Sequence, residues 1–339
     1  MLTVLPFVGL LPLVLGQTQT FKPAPGNFPA KGDGDFAGGI FSIPLSDLGK
    51  YANTGVAGGS EAPRGAAQAT SGSGPYPAQM ITDPSFPGHT LFVPKSPLNG
   101  TVPFIAWGNG ACVTNPSSYK NFLIEIASYG YIIAADGSPT GSSGTNVQSK
   151  VQDMRDSLDW ALKGGAAKYG TIDPARVATA GHSCGGLEAM SVAYHDDRVK
   201  RIAMFDIAIF QDDRRYLLAE IKVPVAYFIG GKSDMGYPSV SDGQKCIRVS
   251  LRANANNYLQ SAKDYALLNA GLPALRANLD TGHGGTYGAT NGGKFGKAAV
   301  AYFEWQFRND TKAKAVILDP KSPGSLVSDN WIVEHKNWT

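Results

Sequence analysis

The length, composition and charge of this chain of 339 residues indicate a globular protein, since 43% of its residues are hydrophobic and only 17% are charged. Its 30 Lys and Arg residues nearly balance its 27 Asp and Glu residues, and the sequence contains no basic block. This balance argues against a nucleic acid as a partner.

The N-terminus has the pattern of a secretory signal peptide. Residues 1–16 carry no charge, are mostly apolar and end in small residues before the chain turns polar at Gln17. A membrane anchor is the less favoured alternative, because the run is shorter than the roughly 20 residues of a membrane span. We therefore expect a secreted, extracellular protein with no membrane span. Three sequons agree with export and are candidate glycosylation sites: Asn99, Asn309 and Asn337.

The rest of the chain divides into an irregular lead-in and one α/β domain. Residues 17–88 are rich in Gly, Pro, Ala and Ser, which favours loops that pack on a domain. Across residues 89–339, short apolar runs alternate with helical stretches, as in a mostly parallel sheet flanked by helices. We expect a single domain with a packed C-terminal tail from about residue 319.

Seven apolar runs are predicted to be strands: 90–94, 102–107, 131–135, 177–180, 201–206, 223–229 and 272–279. Four stretches are predicted to be helices, with a fifth candidate at 211–221: 118–129, 147–163, 185–194 and 293–307. The stretch 237–268 fits neither pattern.

A Gly-x-Ser-x-Gly sequence stands between the strand at 177–180 and the helix that follows. A serine at such a strand-to-helix turn has strained backbone angles, and the residues two before and two after it must be small so that the chain can fold back. Gly181 and Gly185 meet that need. Ser183 is therefore predicted to be a nucleophile.

A serine nucleophile needs a base within hydrogen-bond reach and a carboxylate that orients the base. Chains with this turn carry the partners in the order serine, acid, histidine. His283 follows the last predicted strand in a glycine-rich loop, and it is the candidate base. His182, inside the turn itself, is expected to pack structurally.

Asp234 is the candidate acid, because it follows the penultimate predicted strand, where a carboxylate can meet the histidine loop. The alternative for Asp234 is a turn-capping role. Asp206, at the end of the preceding strand, is the second candidate acid. Asp242 lies farther from a strand end and is less favoured.

Acyl transfer also needs hydrogen-bond donors for an oxyanion. The backbone amide of Cys184, directly after the serine, is the first predicted donor. The second is expected in the glycine-rich loop after an early strand, from Asn109 or, failing that, Gly110. An ordinary glycine-rich turn is the alternative for this loop.

Together these motifs resemble the α/β-hydrolase superfamily over about residues 90–308. The sequences Trp107-Gly108-Asn109-Gly110, 230–234 and 282–285 look most like the dienelactone-hydrolase and polyester-hydrolase (cutinase-like) branch. Dienelactone hydrolases typically use a cysteine nucleophile, whereas Ser183 stands here. The resemblance therefore implies the α/β-hydrolase fold and a secreted serine esterase.

The chain has three cysteines, Cys112, Cys184 and Cys246, so it can form at most one internal disulfide and is not a disulfide scaffold. Cys112 and Cys184 follow two strands that are neighbours in this fold. A disulfide between the oxyanion loop and the serine turn is therefore conceivable.

The expected reaction is carboxylic ester hydrolysis through an acyl-enzyme on Ser183, with a small-molecule or polymeric ester as substrate. No metal or organic cofactor is expected. Three aromatic residues flank the site and are candidate pocket residues, although such residues are more often core: Trp107, Tyr237 and Tyr287. The same serine, histidine and acid could also serve an acyltransferase, an amidase or a C–C hydrolase. A non-catalytic hydrolase-like binding protein is the remaining alternative.

Overall fold

The computed structural model describes residues 39–41, 68–142, 147–210, 212–234 and 257–338. The predicted signal peptide, most of the predicted lead-in, Tyr237, Asp242 and Cys246 lie outside these residues.

The described chain contains one nine-stranded sheet, in the order β1-β2-β4-β3-β5-β6-β7-β8-β9. The strands are β1 (Ala78–Thr82), β2 (His89–Pro94), β3 (Thr101–Gly108), β4 (Ile132–Asp136), β5 (Thr171–His182), β6 (Arg201–Phe205), β7 (Val225–Ile229), β8 (Ala274–Asn278) and β9 (Ile332–Lys336). The six strands from β4 to β8 in this order pair in parallel. The antiparallel pairs of this described sheet are β1–β2, β2–β4 and β8–β9. The mostly parallel sheet predicted from the sequence is confirmed.

Helices cover both faces of the sheet: α1 (Lys120–Ala127), α2 (Val151–Leu162), α3 (Cys184–Ala193), α4 (Asn257–Leu267), α5 (Gly293–Arg308) and α6 (Thr311–Leu318). One apolar core lies between the sheet and α2, α3 and α4, and a second lies between the sheet and α1, α5 and α6. In β7, Tyr227 faces the first core and Phe228 the second, so both faces of the strand are buried. Within the described residues, no helix has both the length and the apolar character of a membrane span.

The structure differs from the sequence prediction mainly at the sheet edges. β1 lies inside the segment predicted to be irregular, and β9 lies in the predicted tail. Both strands bury little side-chain surface, and β9 contains Glu334, His335 and Lys336, so neither has a strong apolar pattern. The helix predicted at 147–163 begins at Val151, and the candidate helix at 211–221 is a 3₁₀ helix over Asp212–Glu220.

Two buried carboxyl groups, Asp136 at the end of β4 and Glu188 on α3, predict how stability depends on pH. Burial raises the pKa of each group well above its usual range, and the charge of Glu188 raises the pKa of Asp136 further. A carboxyl group with a raised folded pKa makes its full contribution to stability at pH values below its unfolded pKa of about 4. This contribution is lost as pH rises through the folded pKa.

We therefore expect Glu188→Gln, which retains an acceptor for the Ser149 hydroxyl, to reduce the loss of stability toward alkaline pH. Urea denaturation midpoints across a pH series measure this slope. The exposed Asp197→Asn is the control. Equal alkaline slopes in Glu188→Gln and the wild type would contradict the prediction.

Candidate active site

The candidate site lies where the parallel strands β3, β5, β7 and β8 reach their carboxyl ends. The chain passes from β3 to β4 on one side of β3, and then returns to β5 on the other side. The loops after β3 and β5 therefore leave neighbouring strands at a point where the direction of winding reverses. Ligands of open α/β sheets bind at such switch points.

Ser183 occupies the sharp turn between β5 and α3, with φ of 52° and ψ of −124°. A Cβ atom on Gly181 would lie 2.2 Å from the carbonyl oxygen of Gly185. A Cβ atom on Gly185 would lie 2.0 Å from the carbonyl carbon of Gly108. Backbone therefore packs directly on backbone around Ser183, and both glycines of the motif are needed for this approach.

The three residues predicted to form a serine–histidine–acid series are brought together. The Nε2 atom of His283 lies 2.9 Å from the Oγ atom of Ser183, and its Nδ1 atom lies 2.8 Å from the Oδ1 atom of Asp234. His283 stands in the loop between β8 and α5, and Asp234 follows a 3₁₀ helix after β7. A proton on Nδ1 that is donated to Asp234 leaves Nε2 able to accept the Ser183 proton.

Asp206, the alternative acid, has a different environment. It directly follows β6, it is fully buried, and its Oδ2 atom accepts a hydrogen bond of 2.5 Å from the Tyr287 hydroxyl. Burial, and after it the negative charge of Asp234, raise the pKa of Asp206 well above its usual range. Asp206 therefore holds its proton more firmly than an ordinary aspartate does.

The predicted amide donors in the loop after β3 have different surroundings. The amide N–H of Gly110 is donated to the Tyr119 hydroxyl at 2.8 Å, so it is already engaged. Asn109 has no exposed surface, and its side-chain amide donates to the carbonyl groups of Val113 and Asp136. Ala111, the residue after Gly110, is exposed, with φ of 52°.

Two backbone amides near the serine remain available. In the described part of the chain, the N–H groups of Ala111 and Cys184 have no hydrogen-bond acceptor. A disulfide joins Cys112 to Cys184 with a Cα–Cα distance of 5.3 Å. It links the residue after Ala111 to the residue after Ser183, and thus holds the two amide-bearing segments side by side.

Comparison with known proteins adds a family match to this geometry. The model of the Chlorophyllase family matches residues 73–209, a segment that contains the loop after β3 and Ser183 but not Asp234 or His283. The match covers less than half of the chain. The chain belongs to the α/β-hydrolase superfamily. The nine-stranded, mostly parallel sheet supports the same assignment. No curated protein matches the chain.

Two of the predicted pocket residues of this α/β hydrolase are instead core residues. Trp107 is 1% exposed and packs against Phe122 and Phe205 beneath α1. Tyr287 is 4% exposed, and its hydroxyl is bonded to Asp206. Both side chains face the α1–α5 side of the sheet and pack in its core, which favours the core interpretation of both residues over the pocket interpretation. The third predicted pocket residue, Tyr237, lies outside the described residues.

The three sequon asparagines are exposed: Asn99, Asn309 and Asn337. In Asn337 the side-chain nitrogen donates to the carbonyl groups of Ala270 and Leu272, at 2.7 and 2.8 Å. A sugar on this nitrogen would replace one of its two hydrogens, so Asn337 is the least suited of the three. Glycosylation at Asn99 and Asn309 stays a prediction.

The disulfide predicts both a thiol count and a loss of stability. With three cysteines in the chain and two of them bonded, denatured and unreduced protein should titrate one thiol. The bond closes a loop with a sequence separation of 72 residues. Its removal in Cys112→Ala/Cys184→Ala should cost roughly 4 kcal/mol of unfolding free energy on the chain-entropy estimate.

Thiol titration and denaturant unfolding measure these two quantities, with Cys246→Ala as the control. Reducing agent should destabilise the wild type and Cys246→Ala alike and leave the double variant unchanged. Three titratable thiols in the unreduced wild type would contradict the disulfide.

Proposed function

We propose that this α/β hydrolase is a secreted serine esterase that cleaves carboxylic esters through an acyl-enzyme on Ser183. The observation that carries the proposal is the continuous hydrogen-bonded series from Asp234 through His283 to a serine held in a strained turn. The similarity to the Chlorophyllase family supports an ester as the substrate.

In the proposed reaction His283 acts first as a base and then as an acid. Its Nε2 atom takes the Ser183 proton as Oγ attacks the ester carbonyl carbon. The buried Asp234 stabilises the resulting imidazolium, which then protonates the departing alkoxide oxygen. A water molecule, deprotonated by His283, then attacks the acyl-enzyme; the bond from the acyl carbon to Oγ breaks, His283 returns the proton to Oγ, and the carboxylic acid is released.

The amides of Cys184 and Ala111 are the proposed donors to the oxyanion. Both N–H groups are available, and the disulfide keeps their segments together. Ala111 takes the place predicted for Asn109 or Gly110, because Asn109 is enclosed and the N–H of Gly110 is engaged by Tyr119. Fixed donors aimed at developing charge are usually a large part of catalysis in such sites.

Secretion is proposed from the apolar, uncharged pattern of residues 1–16 and from the disulfide. Disulfides persist mainly in oxidising compartments such as the extracellular space. N-terminal sequencing of protein recovered from the medium of expressing cells tests this proposal. A mature chain that begins near Gln17 is the expected result, and retention inside the cell would contradict it.

A fluorophosphonate probe, which reacts with activated serines, tests the nucleophile and the base. The wild type should be labelled, whereas Ser183→Ala and His283→Ala should not, because one lacks the nucleophile and the other its base. The exposed Ser96→Ala and His335→Ala are matched controls and should be labelled like the wild type. Labelling of Ser183→Ala, or none of the wild type, would overturn the proposed function.

Turnover of a substrate panel tests the reaction class. The panel contains p-nitrophenyl esters of increasing chain length, an aliphatic polyester, chlorophyll and the amide analogue of the best ester. Ester cleavage well above amide cleavage is the expected result. Preferred amide cleavage, or transfer of the acyl group to an added alcohol in place of water, would indicate the amidase or the acyltransferase alternative.

The two buried aspartates should differ in their effect on turnover. Asp234→Asn should lower kcat on the order of 10⁴-fold, because the carboxylate that orients His283 and stabilises its charged form is lost. Asp206→Asn is the matched control, since an amide oxygen can still accept the Tyr287 hydrogen bond, and it should change kcat less than tenfold. The opposite ranking in steady-state kinetics would assign the acid to Asp206.

A further inference from the structure

The imidazole of His182, the residue before the candidate nucleophile, bridges two other loops of the site. Its Nδ1 atom lies 2.8 Å from the Tyr119 hydroxyl oxygen, which also accepts the amide N–H of Gly110 at 2.8 Å. Its Nε2 atom lies 2.8 Å from the backbone carbonyl oxygen of His283. One series of hydrogen bonds therefore runs from the loop after β3, through the serine turn, to the loop that carries His283.

The direction of each bond in this series is fixed by its two ends. The backbone N–H of Gly110 can only donate, and the carbonyl group of His283 can only accept. His182 must therefore carry its proton on Nε2, and its Nδ1 must accept the Tyr119 hydroxyl proton. A neutral imidazole satisfies both bonds, whereas an imidazolium would present a second N–H to Tyr119.

The surroundings of His182 favour this neutral form. The ring is buried, and burial, followed by the charge of His283, lowers the pKa of His182 well below its usual range. The groups packed around the ring are Tyr119, Tyr287, His283 and Asp206, whose Oδ2 atom lies 3.8 Å from Nε2. Burial and the charge of Asp234 raise the pKa of Asp206 well above its usual range, which makes it a weaker partner for an imidazolium than an ordinary aspartate.

Packing leaves the ring little freedom to move. A Cβ atom on Gly110 would lie 2.4 Å from Nδ1 of His182 and 2.5 Å from the Tyr119 hydroxyl oxygen. Gly110 is thus in close contact with both partners. A displacement of the imidazole would therefore be transmitted to the loop that contains Ala111 and to the backbone of His283.

We propose that His182, with Tyr119, is a positioning residue of the proposed esterase, one that sets the oxyanion loop and the His283 loop relative to Ser183. The proposal rests on the proposed function. The described contacts of the His182 ring are with Tyr119, Tyr287, His283 and Asp206, so its proposed contribution is geometric. Misplacement of catalytic groups by about 1 Å can lower the rate by a factor of about 10².

Four variants test separately the hydrogen bond of His182 to Tyr119 and its hydrogen bond to the His283 carbonyl group. Tyr119→Phe removes the bonds to Gly110 and His182. His182→Asn retains an acceptor near the Nδ1 position and loses the donor to His283, whereas His182→Gln retains a donor near the Nε2 position and loses the acceptor. His182→Ala loses both. Tyr129→Phe, two residues beyond the C-terminal end of α1, is the matched control for loss of a tyrosine hydroxyl.

Each variant is measured for kcat and KM on the best p-nitrophenyl ester, for the inhibition constant of a boronic acid that forms a tetrahedral adduct on serine, and for its thermal unfolding temperature. We expect His182→Ala to lower kcat between tenfold and a hundredfold and to weaken the boronic acid similarly, with KM changed less than threefold. His182→Gln and His182→Asn should each recover part of kcat.

The double variant Tyr119→Phe/His182→Ala is expected to be no slower than His182→Ala, because both changes interrupt the same series of bonds. The proposal is overturned if the folded variants keep the kcat of the wild type. It is also overturned if kcat losses follow the unfolding temperature alone and neither amide variant recovers activity.

The same measurements distinguish failure of the proposed function from failure of the role proposed for His182. Wild-type turnover that Ser183→Ala does not abolish would remove the proposed esterase activity, and the role of His182 with it. Wild-type turnover that requires Ser183, combined with unaffected His182 and Tyr119 variants, would overturn only the role of His182.

Discussion

The contact between the serine turn and the end of β3 is the constraint on which the rest of the site depends. Here Gly185 packs on Gly108 with no side chain between the two backbones, and the amide of Gly185 donates to the carbonyl group of Asn109 at 3.0 Å. This approach brings the loop after β3 beside Ser183. The amide of Ala111 can then lie near the amide of Cys184, as the proposed oxyanion site requires, only because both glycines lack a Cβ atom.

Two further links join the serine turn to the loop after β3: one is a disulfide, and the other is a series of hydrogen bonds. The Cys112–Cys184 disulfide ties the two backbones covalently and joins the loop after β3 to the start of α3. The His182 side chain begins in the serine turn and reaches both the loop after β3 and the loop of His283. The disulfide therefore limits how far the amide donors can separate. Hydrogen bonds through His182 connect the loop of these proposed donors to the loop of His283, the proposed base.

The sequence predicted those features that depend on local chain geometry. The turn at Ser183 is specified by two glycines, and Asp234 and His283 are recognised by their positions after strands. The side that a residue faces is not local: Trp107 and Tyr287 lie beside site residues in sequence, yet their side chains enter the core beneath α1. The engagement of Gly110 also depends on the Tyr119 hydroxyl, which no motif indicates. The edge strands β1 and β9 were missed because they bury few apolar side chains.

The different environments of Asp234 and Asp206 explain how one site can contain two buried carboxyl groups. Both groups lie near the carboxyl ends of neighbouring strands, and two negative charges in a buried region would repel each other. Asp234 accepts hydrogen bonds from the Nδ1 atom of His283 and from the amide of Gly230. Burial and the charge of Asp234 favour the protonated form of Asp206. The charge of Asp234 thus lies against the ring of His283, where the proposed mechanism requires an imidazolium to be stabilised.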